Sequence, residues 1–363
     1  MLVIGEVEGP PEYQLFVVAS AFRLSDGTTV VANRGTSELR YYDERGVWLG
    51  SKGRKGQGPG EFGWLHSAKV IRGDTVFALD ASPRRVTLFP PGEEEPITVP
   101  LSLAGQMVSL AERTTPAGIH LATMTMSGDL WVVPGVPFHL LRGLQATDDG
   151  GAAVRPELIA TSGVYPFRPP LFRIDRSGQV VERTEPVSGT PSAVHDGQTQ
   201  PWPLGGWQVV DAGSTRVVSG LGSERSASVR GRDAHIEVEL GLPPGRAVTE
   251  ELWEDFEVAV SRRGIWWQDF LEAIPRPDTM AHYSDLVVDD HDRIWTGEYL
   301  PIDLGPERRW WVFDLDGTHL ATLHLPSDLE VMDIRDGYLT GVVRDDFDVE
   351  RVVVLRVNER SEA

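Results

Sequence analysis

Cysteine is absent from the 363 residues, which removes disulfides, thiolate metal sites, iron–sulfur clusters and cysteine nucleophiles together. Lysine is scarce, standing only at Lys52, Lys55 and Lys69, and asparagine occurs only at Asn33 and Asn358. Positive charge is short overall, with 34 Lys plus Arg against 54 Asp plus Glu, a formal net charge of −20. Nucleic acid and anionic membrane surfaces call for a cationic face, so this balance argues against both as partners. No apolar run reaches the roughly 18 residues of a membrane span. Met1 leads directly into Leu2-Val3-Ile4, without the charged region, apolar stretch and small-residue site of a secretory signal. The expectation is a cytoplasmic chain, or one whose export signal is not in this sequence. What is present is a composition 40% hydrophobic and 24% charged, sufficient for a substantial core.

A strand–turn–strand unit recurs. Tyr42-Asp43-Glu44-Arg45-Gly46, Ile174-Asp175-Arg176-Ser177-Gly178 and Phe313-Asp314-Leu315-Asp316-Gly317 share an apolar residue, Asp, two residues and Gly. The Asp side chain can accept from its own turn backbone, and Gly supplies positive φ, so each reads as a tight hairpin. Phe89-Pro90-Pro91-Gly92 is a shorter relative. Successive units lie at a spacing close to the roughly 40 to 50 residues of a four-stranded propeller blade. The sequence therefore predicts an all-β, six-bladed β-propeller spanning 1–358 as a single domain, followed by a tail over 359–363. Blade 3 is expected to be split, with inner strands near 107–125, outer strands near 170–187 and a long insertion over 126–169. The last blade runs out after Arg351-Val352-Val353-Val354-Leu355, and Leu2-Val3-Ile4 can supply its missing outer strand, closing the ring.

One stretch, about 247–275, reads as a helical insertion between blades 4 and 5. Thr249 suits the cap, Glu250 and Glu251 suit the positive end of the dipole, and Leu252, Phe256 and Val260 recur at helical spacing. A second short helix is expected from Ile265 to Ala273.

Gly56-Gln57-Gly58-Pro59-Gly60-Glu61-Phe62, then Gly73-Asp74-Thr75-Val76-Phe77-Ala78-Leu79-Asp80 and Arg84-Arg85-Val86-Thr87-Leu88-Phe89, resemble bacterial six-bladed β-propeller proteins of the NHL-repeat and TolB-like kind. Ser284-Asp285-Leu286-Val287-Val288-Asp289 and Trp311-Val312-Phe313-Asp314-Leu315-Asp316-Gly317 look like the fifth blade of such proteins. The resemblance covers nearly the whole chain and concerns architecture more than activity. It implies an extracytoplasmic protein, periplasmic or secreted, because members usually carry a secretion or lipoprotein signal.

The connections from the first to the second and from the third to the fourth strand of each blade are short, whereas the other set carries nearly all the length. A propeller sends the two sets to opposite faces, and long loops on a rigid scaffold are where binding concentrates. On that face the expected ligand-binding residues are Arg34, Trp64, His66, Arg84, Tyr165, Arg168, Trp202, His282, Tyr283 and Arg344. Aromatic rings with arginines suit a carbohydrate, peptide or protein ligand. The plainer readings are blade packing for the aromatics, ordinary hydrogen bonding for the histidines and salt bridges for the arginines. Lys52-Gly53-Arg54-Lys55-Gly56-Gln57-Gly58 could cradle an anion or serve as a glycine-rich turn, and it lacks P-loop spacing. The chain has no GxSxG elbow, HxH or HExxH cluster. The scarcity of asparagine argues against a calcium-dependent lactonase. The expected function is thus a monomeric, non-enzymatic binding propeller without a cofactor. The alternative is a metal-dependent hydrolase or lyase at the channel mouth, with a divalent ion near His66 and His282.

Overall fold

The computed structural model describes residues 1–92, 94–101, 118–135, 144–146, 152–154, 162–175, 177–196, 198–232, 234–261, 266–302 and 305–357. Its body is six antiparallel sheets of four strands, each in up-and-down order. Sheet 1 comprises Val18–Arg23, Thr29–Asn33, Glu38–Tyr42 and Trp48–Lys52. Sheet 2 comprises Leu65–Ile71, Thr75–Ala81, Arg84–Phe89 and Ile97–Pro100. Sheet 3 is Gly118–Met124, Leu130–Gly135, Phe172–Ile174 and Val180–Arg183. Sheet 4 is Gln208–Ala212, Val217–Leu221, Ser226–Arg230 and His235–Glu239. Sheet 5 is Tyr283–Val288, Ile294–Glu298, Glu307–Phe313 and His319–Pro326. Sheet 6 holds Glu330–Arg335, Tyr338–Arg344 and Glu350–Arg356, with Leu2–Ile4 as its fourth strand. In that last pairing Leu2, Val3 and Ile4 lie opposite Val354, Val353 and Val352. The architecture is all-β, in the manner of a β-propeller.

The recurring Asp behaves as its chemistry dictates. Asp43 Oδ1 accepts from the amides of Arg45 and Val47, Asp175 Oδ1 from Ser177 and Gln179, and Asp314 Oδ1 from Asp316 and Thr318. Gly46, Gly178 and Gly317 close these turns at φ of 83°, 83° and 82°. An added Cβ would also drive Gly178 into the Pro100 carbonyl and Gly317 into that of Glu239, the last residues of the outer strands of the preceding sheets. These glycines thus serve both turn and close packing.

The turns joining first and second strands touch from sheet to sheet. Ser25 donates to Asp74, Arg72 N to Met126 O, Met126 N to Gly213 O, the Ser214 amide to Asp292, and the Asp336 amide to Asp290. Arg23 of sheet 1 lies over the Tyr338 ring of sheet 6 at 4.1 Å.

A second repeated device is a bulge near the start of the inner strand, in sheets 1, 2, 3, 5 and 6 but not in sheet 4. An extra residue reverses the in–out alternation before it. Val18 therefore packs on the same side as Ala21, Leu65 as Ala68, Tyr283 as Leu286 and Val331 as Ile334.

Sheet 3 departs from expectation. Its second strand, Leu130–Gly135, lies inside the stretch assigned to the insertion, and its first is Gly118–Met124, not the 107–125 pair. Gly163–Phe167, inside the expected insertion, forms a separate three-stranded sheet with Gly189–His195 and Gln198–Pro201. The connection from Phe89 to Ile97 is also longer than the tight turn expected there. Helices α1 (Glu250–Ser261) and α2 (Trp266–Ala273) follow sheet 4, and Thr249 Oγ1 caps the Leu252 amide at 3.2 Å. Leu252, Trp253, Phe256, Val260, Phe270 and Leu271 pack with Ala193 and Leu204, so the helical pair rests on the additional sheet. The tail at 359–363 lies outside the described residues.

Candidate functional site

At the centre, inner strands place Ser20, Ser67, Lys69, Thr123, Asp211 and Asp333 around a polar space of about 140 Å³. Lys69 Nζ donates to Asp211 Oδ1 at 2.5 Å and to the Ala212 carbonyl, while Asp211 Oδ2 accepts the Val288 amide at 2.8 Å. Asp333 lies 3.6 Å from Arg335, and burial pushes its carboxyl above the ordinary value against the opposing pull of Arg335 and Lys69. Asp333 Oδ2, Arg335 Nε and Ser67 Oγ have no hydrogen-bond partner among the described residues. Polar atoms around so small a space suit ordered water. The cationic Lys69 beside Asp211 makes the space unsuited to a divalent ion.

The end carrying the long connections is different in kind. Phe16 and Trp64 precede the inner strands of sheets 1 and 2, and Phe347 lies between the second and third strands of sheet 6. They are 68%, 52% and 88% exposed. Arg34 stacks on Trp64 at 5.5 Å, and Arg84 makes no side-chain hydrogen bond or ion pair among the described residues. Between Phe16 and Val18, Val17 has φ 54°, a left-handed conformation that a β-branched side chain resists. Neighbouring bonds hold it there. Phe16 N donates to Asn33 Oδ1 (2.7 Å), Gly35 N to Phe16 O (2.9 Å), Arg34 N to Val17 O (3.1 Å) and Val18 N to Glu350 Oε2 (2.7 Å). These four bonds fix the strained residue and with it the backbone that carries the exposed Phe16 ring.

The residues expected from sequence do not form one site. Arg34, Trp64, Arg84 and Arg344 lie along this edge, but two arginines are already engaged. Arg34 donates to the carbonyls of Leu65 (2.8 Å) and His66 (2.7 Å), and burial lowers its guanidinium from the ordinary value while Glu350 pulls the other way. Arg344 pairs with Glu350 and Glu330, each at 2.8 Å. Arg168 borders a separate polar hollow of about 290 Å³ with Ser219, Glu224 and Ser228. Tyr165 belongs to the additional sheet, and the Trp202 indole donates to the Pro275 carbonyl at 2.8 Å, serving the helical pair. Tyr283 is a correction: it is fully buried between sheets 4 and 5, because the bulge after it turns its ring inward.

His66 and His282 also part company. His282 borders a hollow of about 210 Å³ with Arg246, Tyr299 and Trp311, to which His66 does not contribute. Burial lowers its imidazole from the ordinary value, and Nδ1 meets the Pro243 carbonyl at 3.0 Å. The one grouping of potential metal ligands among the described residues, Asp289, Asp290 and His291, lies on a short turn. There Asp289 is bonded to Arg293 and Trp295, and Asp290 to the Asp336 amide. The glycine-rich cradle is filled by the chain's own anion: Glu61 accepts from Gly58 N at 2.8 Å and pairs with Arg54 at 2.7 Å. The Gly58 amide and Arg54 hold its carboxyl below the ordinary value. Sequence reasoning missed Phe16 and Phe347. The signal for Phe347 was a lone aromatic within Asp345-Asp346-Phe347-Asp348, where a turn must expose it.

No family model matches the chain, and a comparison with curated sequences finds no match. A candidate exported protein of Bacteroides fragilis aligns over 99% of this chain and 96% of its own, with TM-score 0.53 and 11% identity. A member of the DUF4221 family from Bacteroides vulgatus aligns over 98% and 95%, with TM-score 0.55 and 12% identity. A virginiamycin B lyase from Staphylococcus aureus covers 94% and 95% at TM-score 0.42 and 8% identity, too distant to bear on function. What the chain shares with the two Bacteroides proteins is a fold: all-β, built from four-stranded sheets.

Proposed function

We propose that the protein is a six-bladed β-propeller, closed by its terminal strands, that acts as a non-enzymatic recognition module outside the cytoplasm. Its contact surface is the long-connection end above sheets 6, 1 and 2, and the ligand is a protein or peptide. The pairing of Leu2–Ile4 with sheet 6 and the chain of turn contacts through all six sheets support the ring. The extracytoplasmic placement follows the NHL- and TolB-like resemblance and the exported character ascribed to the Bacteroides fragilis neighbour. The observation that carries the function is the exposure of Phe16, Trp64 and Phe347 at this one end, with left-handed Val17 next to Phe16 and with an Arg84 side chain that is unpaired among the described residues. Exposed aromatic rings and arginine are the residues that concentrate binding energy at protein interfaces.

A peptide library and a glycan array, probed with the wild type and with a Phe16→Ser/Trp64→Ser/Phe347→Ser variant, test this reading. Peptide hits are expected to weaken by about 30-fold or more in the variant, with its melting temperature retained. Equal binding by the variant, or hits confined to glycans, would overturn it.

A further inference from the structure

At the opposite end, between sheets 2 and 3, lies a cavity of about 830 Å³. Val86, Leu88 and Val99 form its wall on one side, and Met124, Leu130 and Ile174 form it on the other. Its mouth is made of turns: Arg72 from sheet 2, Ser127 to Asp129 from sheet 3, and Thr215 and Arg216 from sheet 4. The space opens to solvent at its mouth, and its volume falls in the range of small-molecule sites, roughly 300 to 1,000 Å³.

Among the described residues the mouth carries Arg72, Arg216 and Arg232 against Asp129 and Asp175. Its carboxylates are occupied: Arg232 Nε meets both oxygens of Asp129 at 3.1 Å, and Asp175 accepts the Ser177 and Gln179 amides. Arg72 and Arg216, by contrast, make no side-chain hydrogen bond or ion pair among the described residues. Two open guanidinium groups above an apolar chamber are notable in a chain of net charge −20. They present donors suited to a carboxylate, sulfate or phosphate group, and the chamber has walls for an alkyl or ring system.

The geometry points to a binding site for an amphipathic anion, its apolar body between sheets 2 and 3 and its head group on Arg72 and Arg216. The ligand is a free small molecule of the fatty-carboxylate type. The site is separate from the recognition surface of sheets 6, 1 and 2, and neither depends on the other.

Dodecanoate, kept below its micellar concentration, is the probe, with dodecan-1-ol and dodecyltrimethylammonium as neutral and cationic counterparts. Calorimetric titration and thermal melting of the full chain are the readouts. Dodecanoate is expected to bind, and to raise the melting temperature by about 3 °C or more near saturation. The alcohol is expected to bind about tenfold more weakly or less, and the cation not to compete. Arg72→Gln/Arg216→Gln should weaken dodecanoate about tenfold while leaving the unliganded melt unchanged. Ile174→Trp, which fills the chamber, should abolish binding with the fold retained, and Leu88→Phe serves the same purpose if that variant does not fold. The Phe16→Ser/Trp64→Ser/Phe347→Ser variant should bind dodecanoate as the wild type does. Equal binding of alcohol and carboxylate, binding that survives the filled chamber, or no binding of dodecanoate by the wild type would each overturn the assignment.

Discussion

Sheets 2 and 3 face each other as sheets 4 and 5 do, with matching registers. Leu130, Trp131 and Val132 pair with Ile174, Arg173 and Phe172 in sheet 3, and Ile294, Trp295 and Thr296 pair with Phe313, Val312 and Trp311 in sheet 5. The positions that reach toward the preceding sheet hold Phe172 and Ile174 in one case and Trp311 and Phe313 in the other. Leu315 in the sheet 5 turn adds further apolar bulk to that interface. The same backbone with smaller side chains leaves a chamber. Interior volume in a repeated fold is therefore set one side chain at a time, without altering the hydrogen-bonded frame.

The largest test of this contrast is truncation at equivalent positions. Phe313→Ala should cost about 4 kcal/mol, since it empties a packed site, whereas Ile174→Ala should cost about 2 kcal/mol, because its side chain already borders open space. Urea unfolding measures both, and equal losses would mean that the two interfaces are packed alike. Grafting the sheet 5 residue Phe313 into sheet 3 comes next. Ile174→Phe should stabilise the unliganded protein by about 1 kcal/mol, because Ile174 lines the chamber and the added volume has room. A loss of stability, the usual result of overpacking, would show that the chamber is smaller than its outline.

The smallest effect concerns pH. His282 borders the interface of sheets 4 and 5, and its imidazole titrates below the ordinary value because burial disfavours its charged form. A base whose folded value is lowered contributes stability above its unfolded value, which is lost as pH falls through that value toward the folded one. Stability should therefore drop modestly as pH falls below the ordinary imidazole value, and His282→Gln should flatten that slope. Ile174→Ala, at the other interface, should leave it unchanged.

Much of the frame was legible because its signals are local. An Asp whose carboxylate accepts two amides three residues from a positive-φ glycine needs no distant partner, and neither does the Thr249 cap. The pairing of Leu2–Ile4 with Val352–Val354 could also be read, from a sheet one strand short and an orphan apolar strand. Legibility failed where geometry is set by partners. Leu130–Gly135 ends in Pro134-Gly135, a turn signature, and its mate Phe172 lies far along the chain, so the strand passed for insertion. Tyr283 was expected at the long-connection face because it opens an inner strand there, whereas the bulge between Tyr283 and Asp285, set by pairing with the second strand, turns its ring inward. The signal was present as an apolar residue followed three positions later by another, as in Val18 and Ala21 or Leu65 and Ala68. The chamber was invisible, since connection length pointed to the other end and no local pattern reports the gap left by Ile174.

The partnership of Leu2–Ile4 with Val352–Val354 has a consequence for synthesis. Leu2–Ile4 is synthesised long before its partner Val352–Val354, so it stays unpaired until that strand follows, and sheet 6 is completed after the other five. Until then both strands present open edges, where an adjacent nascent copy can insert its own first strand. Crowded synthesis on one message would favour such exchanged dimers, which share every contact of the monomer and differ only in whose terminus supplies the strand.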